Sequence, residues 1–284
     1  MTLTAANQVK LPSFMYGTAW KKDETAKLVK LAVEAGFRAI DTANQLKHYD
    51  EQLVGDALQT LYQQGVTRDS LFLQTKYTTI DGQDHRLPYD KNADLSTQVK
   101  QSMENSLEHL HTDYIDSYVL HGPHYMNRLI DADWEIWAAI ESVYQEGKAK
   151  IIGVSNFSAD QLRDLCAKAK VKPMVVQNRC YAAMGWDKEV RDICRKNQII
   201  YQGFSLLTAN GRVLENPTVR TIARRQMAGI AQVIFRFAMQ IGMQPLTGTS
   251  NPVHMAEDLK SETFTLSDED VRVIESIAVQ RARF

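Results

Sequence analysis

The chain has 284 residues, 44% of them hydrophobic and 24% charged, with a formal net charge of -1 at pH 7. That balance gives no electrostatic reason to expect nucleic acid or an anionic membrane as partner, and no apolar run approaches the roughly 20 residues that span a bilayer. The N-terminus lacks the charged start and apolar centre of a signal peptide, and Cys166, Cys180 and Cys194 form neither a disulfide framework nor the close pairs of a zinc site, so a cytoplasmic protein without a metal is expected.

Along the chain, helical patterns alternate with β-branched or aromatic runs. The first helix is predicted over residues 23–35, where Leu28, Leu31, Ala32 and Ala35 recur at three- and four-residue steps. A strand follows over 37–40, a helix over 51–63, a strand over 71–74 and a helix over 95–110. Next come a strand over 114–120, a helix over 134–146, a strand over 151–154 and a helix over 159–168. A strand over 174–177, a helix over 188–196 and a strand over 199–204 continue the series. Strands alternating with helices argue for βαβ units and a parallel sheet. Continued to about eight repeats, the pattern predicts an α/β fold, a single-domain (β/α)₈ barrel over residues 1–284. No GxGxxG follows any strand, which counts against an open dinucleotide-binding sheet. The longest insertion, 78–93, is polar, contains Gly82 and Pro88, and falls on the side that borders a barrel's active face.

Three strand-like segments each deliver one ionisable side chain near the C-terminal end. They are GFRAIDTA with Asp41, LQTKY with Lys76, and YVLHG with His121. A barrel builds its active site from the ends of different strands at one face. Each residue also has a plainer reading: Asp41 and Lys76 as a structural ion pair at the rim, His121 as a satisfied core histidine. With Tyr49 close behind Asp41, the order Asp, Tyr, Lys, His resembles the tetrad of the aldo-keto reductases. The resemblance extends from MYGTAW near the start to MAEDL near the end and is strongest in KIIGVSNF, residues 150–157.

That resemblance implies reduction of an aldehyde or ketone by NADP(H), with NAD(H) as a further candidate. Reducing a carbonyl by hydride leaves a developing oxyanion that must be protonated. Tyr49 would supply the proton, Lys76 would lower the phenol's pKa, and Asp41 would hold Lys76. His121 would orient the carbonyl oxygen. Ser155, Asn156 and Gln177 would hold the nicotinamide carboxamide, which needs a donor and an acceptor; alternatively Ser155 and Asn156 cap the next helix. Phe204 would stack on the nicotinamide in place of the family's usual tyrosine, or else is a core aromatic. Ser205 and Leu207 would line the pyrophosphate, and Thr18 and Asp41 complete that part of the cofactor set. Gly248, Thr249, Ser250, His254, Glu257 and Asp258 would meet the adenosine end. Trp20, Tyr77 and His124 are expected at the substrate pocket, with Trp186 and the 78–93 loop as further walls. The implied partner is a small carbonyl compound, and the protein is expected to be a monomer.

The sequence departs from the family pattern twice. Between Ala43 and Glu51 stand NQLKHYD, two residues more than the signature allows. Counting forward from Asp41 places Leu46 at the catalytic tyrosine position, and counting back from Gly55 places His48 there; Tyr49 is the only phenol in the loop. After the last strand, QPLTGTSNPVHMAED lacks the Lys-Ser pair and the later Arg that grip a 2′-phosphate. No fixed positive charge is expected there, so discrimination for NADPH should be weak. Two other functions fit parts of the pattern: a barrel aldolase using Lys76 as a Schiff-base nucleophile, and a non-catalytic nucleotide sensor or partner subunit.

Overall fold

The structure, a computed structural model, describes residues 2–279. An antiparallel hairpin, β1 (Thr2–Thr4) and β2 (Lys10–Pro12), precedes the barrel. Eight parallel strands then close on themselves: β3 (Met15–Gly17), β4 (Ala39–Asp41), β5 (Phe72–Tyr77), β6 (Ile115–Leu120), β7 (Ala149–Ser155), β8 (Val175–Arg179), β9 (Ile200–Phe204) and β10 (Met243–Thr247), with β10 pairing back onto β3. Between and after them run α1 (Thr25–Ala35), α2 (Glu51–Gln63), α3 (Leu95–His109), α4 (Asp131–Gln145), α5 (Ala159–Lys168) and α6 (Lys188–Lys196). The short α7 (Gly211–Leu214) and α8 (Pro217–Arg225) come next, then α9 (Ile230–Gln240), α10 (Pro252–Leu259) and α11 (Asp268–Ser276). No helix among the described residues is long and apolar enough to cross a membrane.

Strand alternation sorts the core into two shells. Ile40, Leu73, Tyr118, Ile152, Val176 and Tyr201 point outward into the larger cluster beneath the helices. Met15, Ala39, Phe72, Val119, Val175 and Ile200 point inward and pack with Leu11 of the hairpin. The hairpin thus plugs the N-terminal end of the barrel, and Leu11 is fully buried there. At the opposite end the strands deliver Asp41, Lys76, Ser155, Gln177 and Phe204.

Local sequence accounts for several boundaries. Asp50 caps α2 by accepting from the Leu53 amide, and Ser158 caps α5 in a reciprocal box with Gln161. Gly55 lies where α2 meets α3: an added Cβ would stand 1.8 Å from the His109 carbonyl oxygen. The helices predicted over 51–63, 159–168 and 188–196 match α2, α5 and α6 end to end. The one predicted over 134–146 starts three residues too late, because α4 begins at Asp131. Strand β5 runs through Lys76 to Tyr77, beyond the predicted end at 74.

Candidate active site

Asp41 ends β4 and Lys76 lies one residue from the end of β5, side by side in the closed barrel. Lys76 is fully buried, and its Nζ donates to Asp41 Oδ1 at 2.6 Å and to the Thr42 carbonyl at 2.7 Å. Gln74 Nε2 and Gln177 Nε2 donate to the same Asp41 oxygen at 2.8 and 3.0 Å. Burial pulls the Lys76 ammonium below the ordinary lysine value, and the Asp41 carboxylate opposes that pull. Lys76 Nζ stands 5.1 Å from the centroid of the Tyr49 ring, and that ring meets His121 edge-on at 5.8 Å.

The two extra residues before Glu51 are absorbed by one tight turn. The amides of His48 and Tyr49 both donate to the Gln45 carbonyl, at 3.2 and 3.0 Å. Leu46 and Lys47 are thereby turned into solvent, and Tyr49 faces the barrel axis. His48 stacks on Trp20, ring centroids 4.0 Å apart, with its Nδ1 2.9 Å from Gln45 Oε1. Of the three residues the count allowed, Tyr49 is the one that lines the cleft beside Asp41 and His121. Its phenol moves up from the usual tyrosine value, first through burial and then through the Asp41 carboxylate. The direction is the opposite of the lowering expected from Lys76, because burial disfavours the phenolate and the neighbouring carboxylate disfavours it further.

His121 follows β6. Burial, with the nearby Lys76 cation second, lowers its pKa to about 3, so the ring is neutral at physiological pH. Its Nδ1 lies 2.7 Å from Thr78 Oγ1. A threonine hydroxyl that donates to Nδ1 leaves the single ring proton on Nε2, whereas the other tautomer donates from Nδ1 to Oγ1.

A cleft of about 630 Å³ runs from Trp20, Tyr49 and His121 to the end of β10 and α10. Ser155, Asn156, Gln177, Phe204, Ser205 and Leu207 line its middle, and Gly248, Thr249, His254, Glu257 and Asp258 its far end. Asn156 adopts a left-handed φ of 58°. Its Nδ2 donates to the His121 carbonyl at 2.8 Å and to Ser155 Oγ at 3.2 Å. The cap of α5 is Ser158 instead, so Ser155 and Asn156 are not needed to start that helix. Phe204 carries the Arg179 guanidinium 5.7 Å from its ring centroid.

Several expected residues lie elsewhere. Tyr77 is fully buried in the outer shell, with its hydroxyl 3.3 Å from Gln98 Oε1; next to inward-facing Lys76, alternation points it away from the pocket. Thr18 is buried under β4, donating twice to the Asp41 carbonyl, and only its neighbours Gly17 and Ala19 reach the cleft. His124 is committed to Asp133, 2.7 Å from Nδ1, near the start of α4, and does not line the cleft. Trp186 is core, its Nε1 donating to the Ile274 carbonyl. Ser250 and the 78–93 loop are also absent from the cleft wall; the loop packs on the Tyr49 turn through Gln45, Gln83 and Arg86.

Two cleft features lie outside the sequence reading, while Asp258 lines the far end as expected. Lys21, directly after Trp20, reaches the far end and donates to the Gly248 carbonyl, which corrects the expectation of no cation there. The start of α9, Gly229 to Gln232, forms part of the wall, with Gln232 Oε1 accepting from the Gly229 amide. Asp258 is buried, accepts from Thr247 Oγ1 at 2.8 Å, and has its carboxyl pushed up to about 6 by burial. Among the described residues no three His, Cys, Asp or Glu side chains are grouped to hold a metal ion.

The Aldo/keto reductase family matches the chain over residues 13–279. Over 278 residues the chain is 31% identical to glyoxal reductase of Bacillus subtilis, covering 97% of this chain and 92% of that protein. It is 30% identical over 303 residues to NADPH-dependent codeinone reductase 1-4 of Papaver somniferum, covering 98% and 90%. Among solved structures, MGS-M4, an aldo-keto reductase from a Medee basin deep-sea metagenome library, is similar with a TM-score of 0.84 at 28% identity, covering 98% of this chain and 95% of that one. An aldo/keto reductase from Brucella melitensis is similar with a TM-score of 0.82 at 28% identity, covering 98% and 99%.

Proposed function

Because the chain belongs to the Aldo/keto reductase family, we propose that it reduces the carbonyl group of a small aldehyde or ketone, using a reduced nicotinamide dinucleotide. The observation that carries this reading is the convergence at one end of the cleft: Tyr49 over Lys76, His121 against Tyr49, and Lys76 locked to Asp41. Ser155, Asn156, Gln177 and Phe204 would hold the nicotinamide, whose chemistry there would be donation of the hydride. The residues present fit such a group: Gln177 commits its Nε2 to Asp41 and Gln202, which leaves Oε1 to accept from a carboxamide.

The substrate oxygen is placed between the Tyr49 hydroxyl and His121 Nε2. Neutral His121 donates its Nε2 proton as a hydrogen bond and orients the carbonyl. Tyr49, held protonated by burial, transfers its proton as negative charge builds on that oxygen, and the Lys76 ammonium stabilises the phenolate left behind. A Schiff base at Lys76 suits the geometry less, since its Nζ already serves Asp41 and Thr42 and does not line the cleft. The relative named glyoxal reductase supports a small reactive dicarbonyl as the first substrate to try. Adding glyoxal to protein and NADPH should consume the reduced cofactor at a rate proportional to protein; no consumption with glyoxal or a panel of reactive aldehydes would refute the reading.

Cofactor choice follows from charge at the far end. NADP(H) is the proposed cofactor, with NAD(H) accepted, because Lys21 offers one cation while Glu257 and Asp258 oppose a 2′-phosphate. A charge-assisted hydrogen bond contributes about 1.5–3 kcal/mol, so His254→Arg should raise the preference for NADPH over NADH by roughly tenfold to a hundredfold. The Asp258 carboxyl, with a value of about 6, is ionised above that pH and neutral below it. As pH falls from 7.5 to 5.5, wild-type protein should therefore shift toward NADPH more steeply than Asp258→Asn does. The Asn variant removes the contribution of the phosphate's own ionisation from the comparison. Fluorescence titration of both cofactors measures this, and parallel pH dependences would remove Asp258 from cofactor selection.

A further inference from the structure

Barrel interiors are usually filled by layers of branched apolar side chains. Here four glutamines lie inside: Gln74 on β5, Gln177 on β8, Gln202 on β9 and Gln244 on β10, with Gln74, Gln202 and Gln244 fully buried. They form one connected run of amide hydrogen bonds. At the plugged end, Gln244 Nε2 donates to the Pro12 carbonyl of the hairpin at 2.5 Å, and Gln244 Oε1 accepts from Gln202 Nε2 at 2.9 Å. The same Gln202 nitrogen donates to Gln74 Oε1 at 3.0 Å. Gln202 Oε1 accepts from Gln74 Nε2 at 2.8 Å and from Gln177 Nε2 at 3.2 Å. Those two nitrogens also donate to Asp41 Oδ1, the oxygen that receives Lys76.

The direction of each amide is set from the two ends. A peptide carbonyl and a carboxylate oxygen only accept, so the NH₂ groups of Gln244, Gln74 and Gln177 must face Pro12 and Asp41. That leaves Gln244 and Gln74 each presenting an oxygen to Gln202 Nε2, as found. Turning any one amide over would set acceptor against acceptor or donor against donor among buried side chains. Filling space does not require such a run, because leucines would fill the same volume without burying amides that must all be satisfied. What leucines could not do is aim two N–H donors at one oxygen of Asp41 and fix which end of Gln177 looks into the cleft.

We propose that Gln74, Gln202 and Gln244 are positioning residues: their directed hydrogen bonds hold Asp41 and Gln177, and through Asp41 they place Lys76 against the Tyr49 ring. This rests on the reductase reading of the site. Gln202 is the most telling member, since it does not line the cleft and its side-chain hydrogen bonds among the described residues go to Gln74, Gln177 and Gln244.

The test compares wild type, Gln202→Met, and the triple variant Gln74→Leu, Gln202→Met, Gln244→Leu. Melting temperature, NADPH binding by fluorescence, and kcat per NADPH-binding site with glyoxal are read for each. Gln202→Met leaves orphaned amides and should lower the melting temperature. Its kcat should fall about tenfold to a hundredfold, the scale expected when a catalytic group is misplaced by about 1 Å. NADPH affinity should stay within about threefold, because Gln177 keeps its hydrogen bond to Asp41 and every residue lining the cleft is unchanged. The triple variant removes the amides together, so it should regain melting temperature but not kcat. Recovery of both in the triple variant, or wild-type kcat in Gln202→Met, would overturn the proposal and leave the glutamines as packing. A triple variant that does not fold leaves Gln202→Met to decide alone, since its kcat counts only sites that bind NADPH. Wild-type protein that binds NADPH but never oxidises it would overturn the reductase reading, and the positioning role with it.

Discussion

Tyr49→Phe is expected to lower kcat for carbonyl reduction by about 10² to 10⁴, the usual contribution of a positioned general acid. The substitution deletes one hydroxyl that makes no hydrogen bond to another described residue, so packing against His121 and the cation–ring contact with Lys76 are retained. Melting temperature and NADPH affinity should therefore match wild type. His48→Gln should cost much less, since His48 stacks outward on Trp20 and does not line the cleft. Steady-state rates of the two variants, ranked side by side, check the register of the turn. A mild Tyr49→Phe with a severe His48→Gln would assign the proton to the imidazole. Mild effects in both would take the acid out of this loop altogether, and Tyr77, packed in the outer shell, could not replace it.

Lys76→Met is expected to have the second large effect. A preorganised charge at the site of developing negative charge is typically worth about 10² to 10³ in kcat, and Lys76 is the cation nearest the Tyr49 ring among the described residues. Removing it also breaks a fully buried ion pair, which commonly destabilises by about 3–5 kcal/mol. Two amide donors remain on Asp41, from Gln74 and Gln177, so the fold should survive with a lowered melting temperature. NADPH binding should persist, because Lys76 does not line the cleft. Calorimetry, cofactor titration and turnover on the same preparation separate these effects. Near-normal turnover in the variant would remove Lys76 from the chemistry.

The fold was readable because the strand–helix alternation is regular and the caps are local. Asp50 and Ser158 begin α2 and α5 with side-chain acceptors, which is why those ends agree residue for residue. The hairpin of three-residue strands and the three-residue β3 are too short for periodicity to register. The positions of Asp41, Lys76 and His121 follow from strand ends, whereas alternation turns Tyr77 and Thr18 away from the cleft. Lys76 points in, so Tyr77 points out; Thr18 sits beneath Asp41 while Gly17 and Ala19 face the cleft. The glutamine run was not legible at all. Each glutamine falls in a different strand, and only barrel closure brings them together. Lys21 is not legible for a similar reason, since its partner Gly248 lies 227 residues further along the chain.

Hydride transfer from a nicotinamide held along Ser155, Asn156 and Gln177 is the step that Tyr49, Lys76 and His121 are proposed to serve. The most direct measurement follows the label from NADPH deuterated at C4 into the alcohol formed from glyoxal by the wild-type protein, analysed by mass spectrometry. Deuterium at the new carbinol carbon from one C4 face only, with none from the other, is the predicted result. Glyoxal recovered unchanged, or an alcohol without label from either face, would contradict the account.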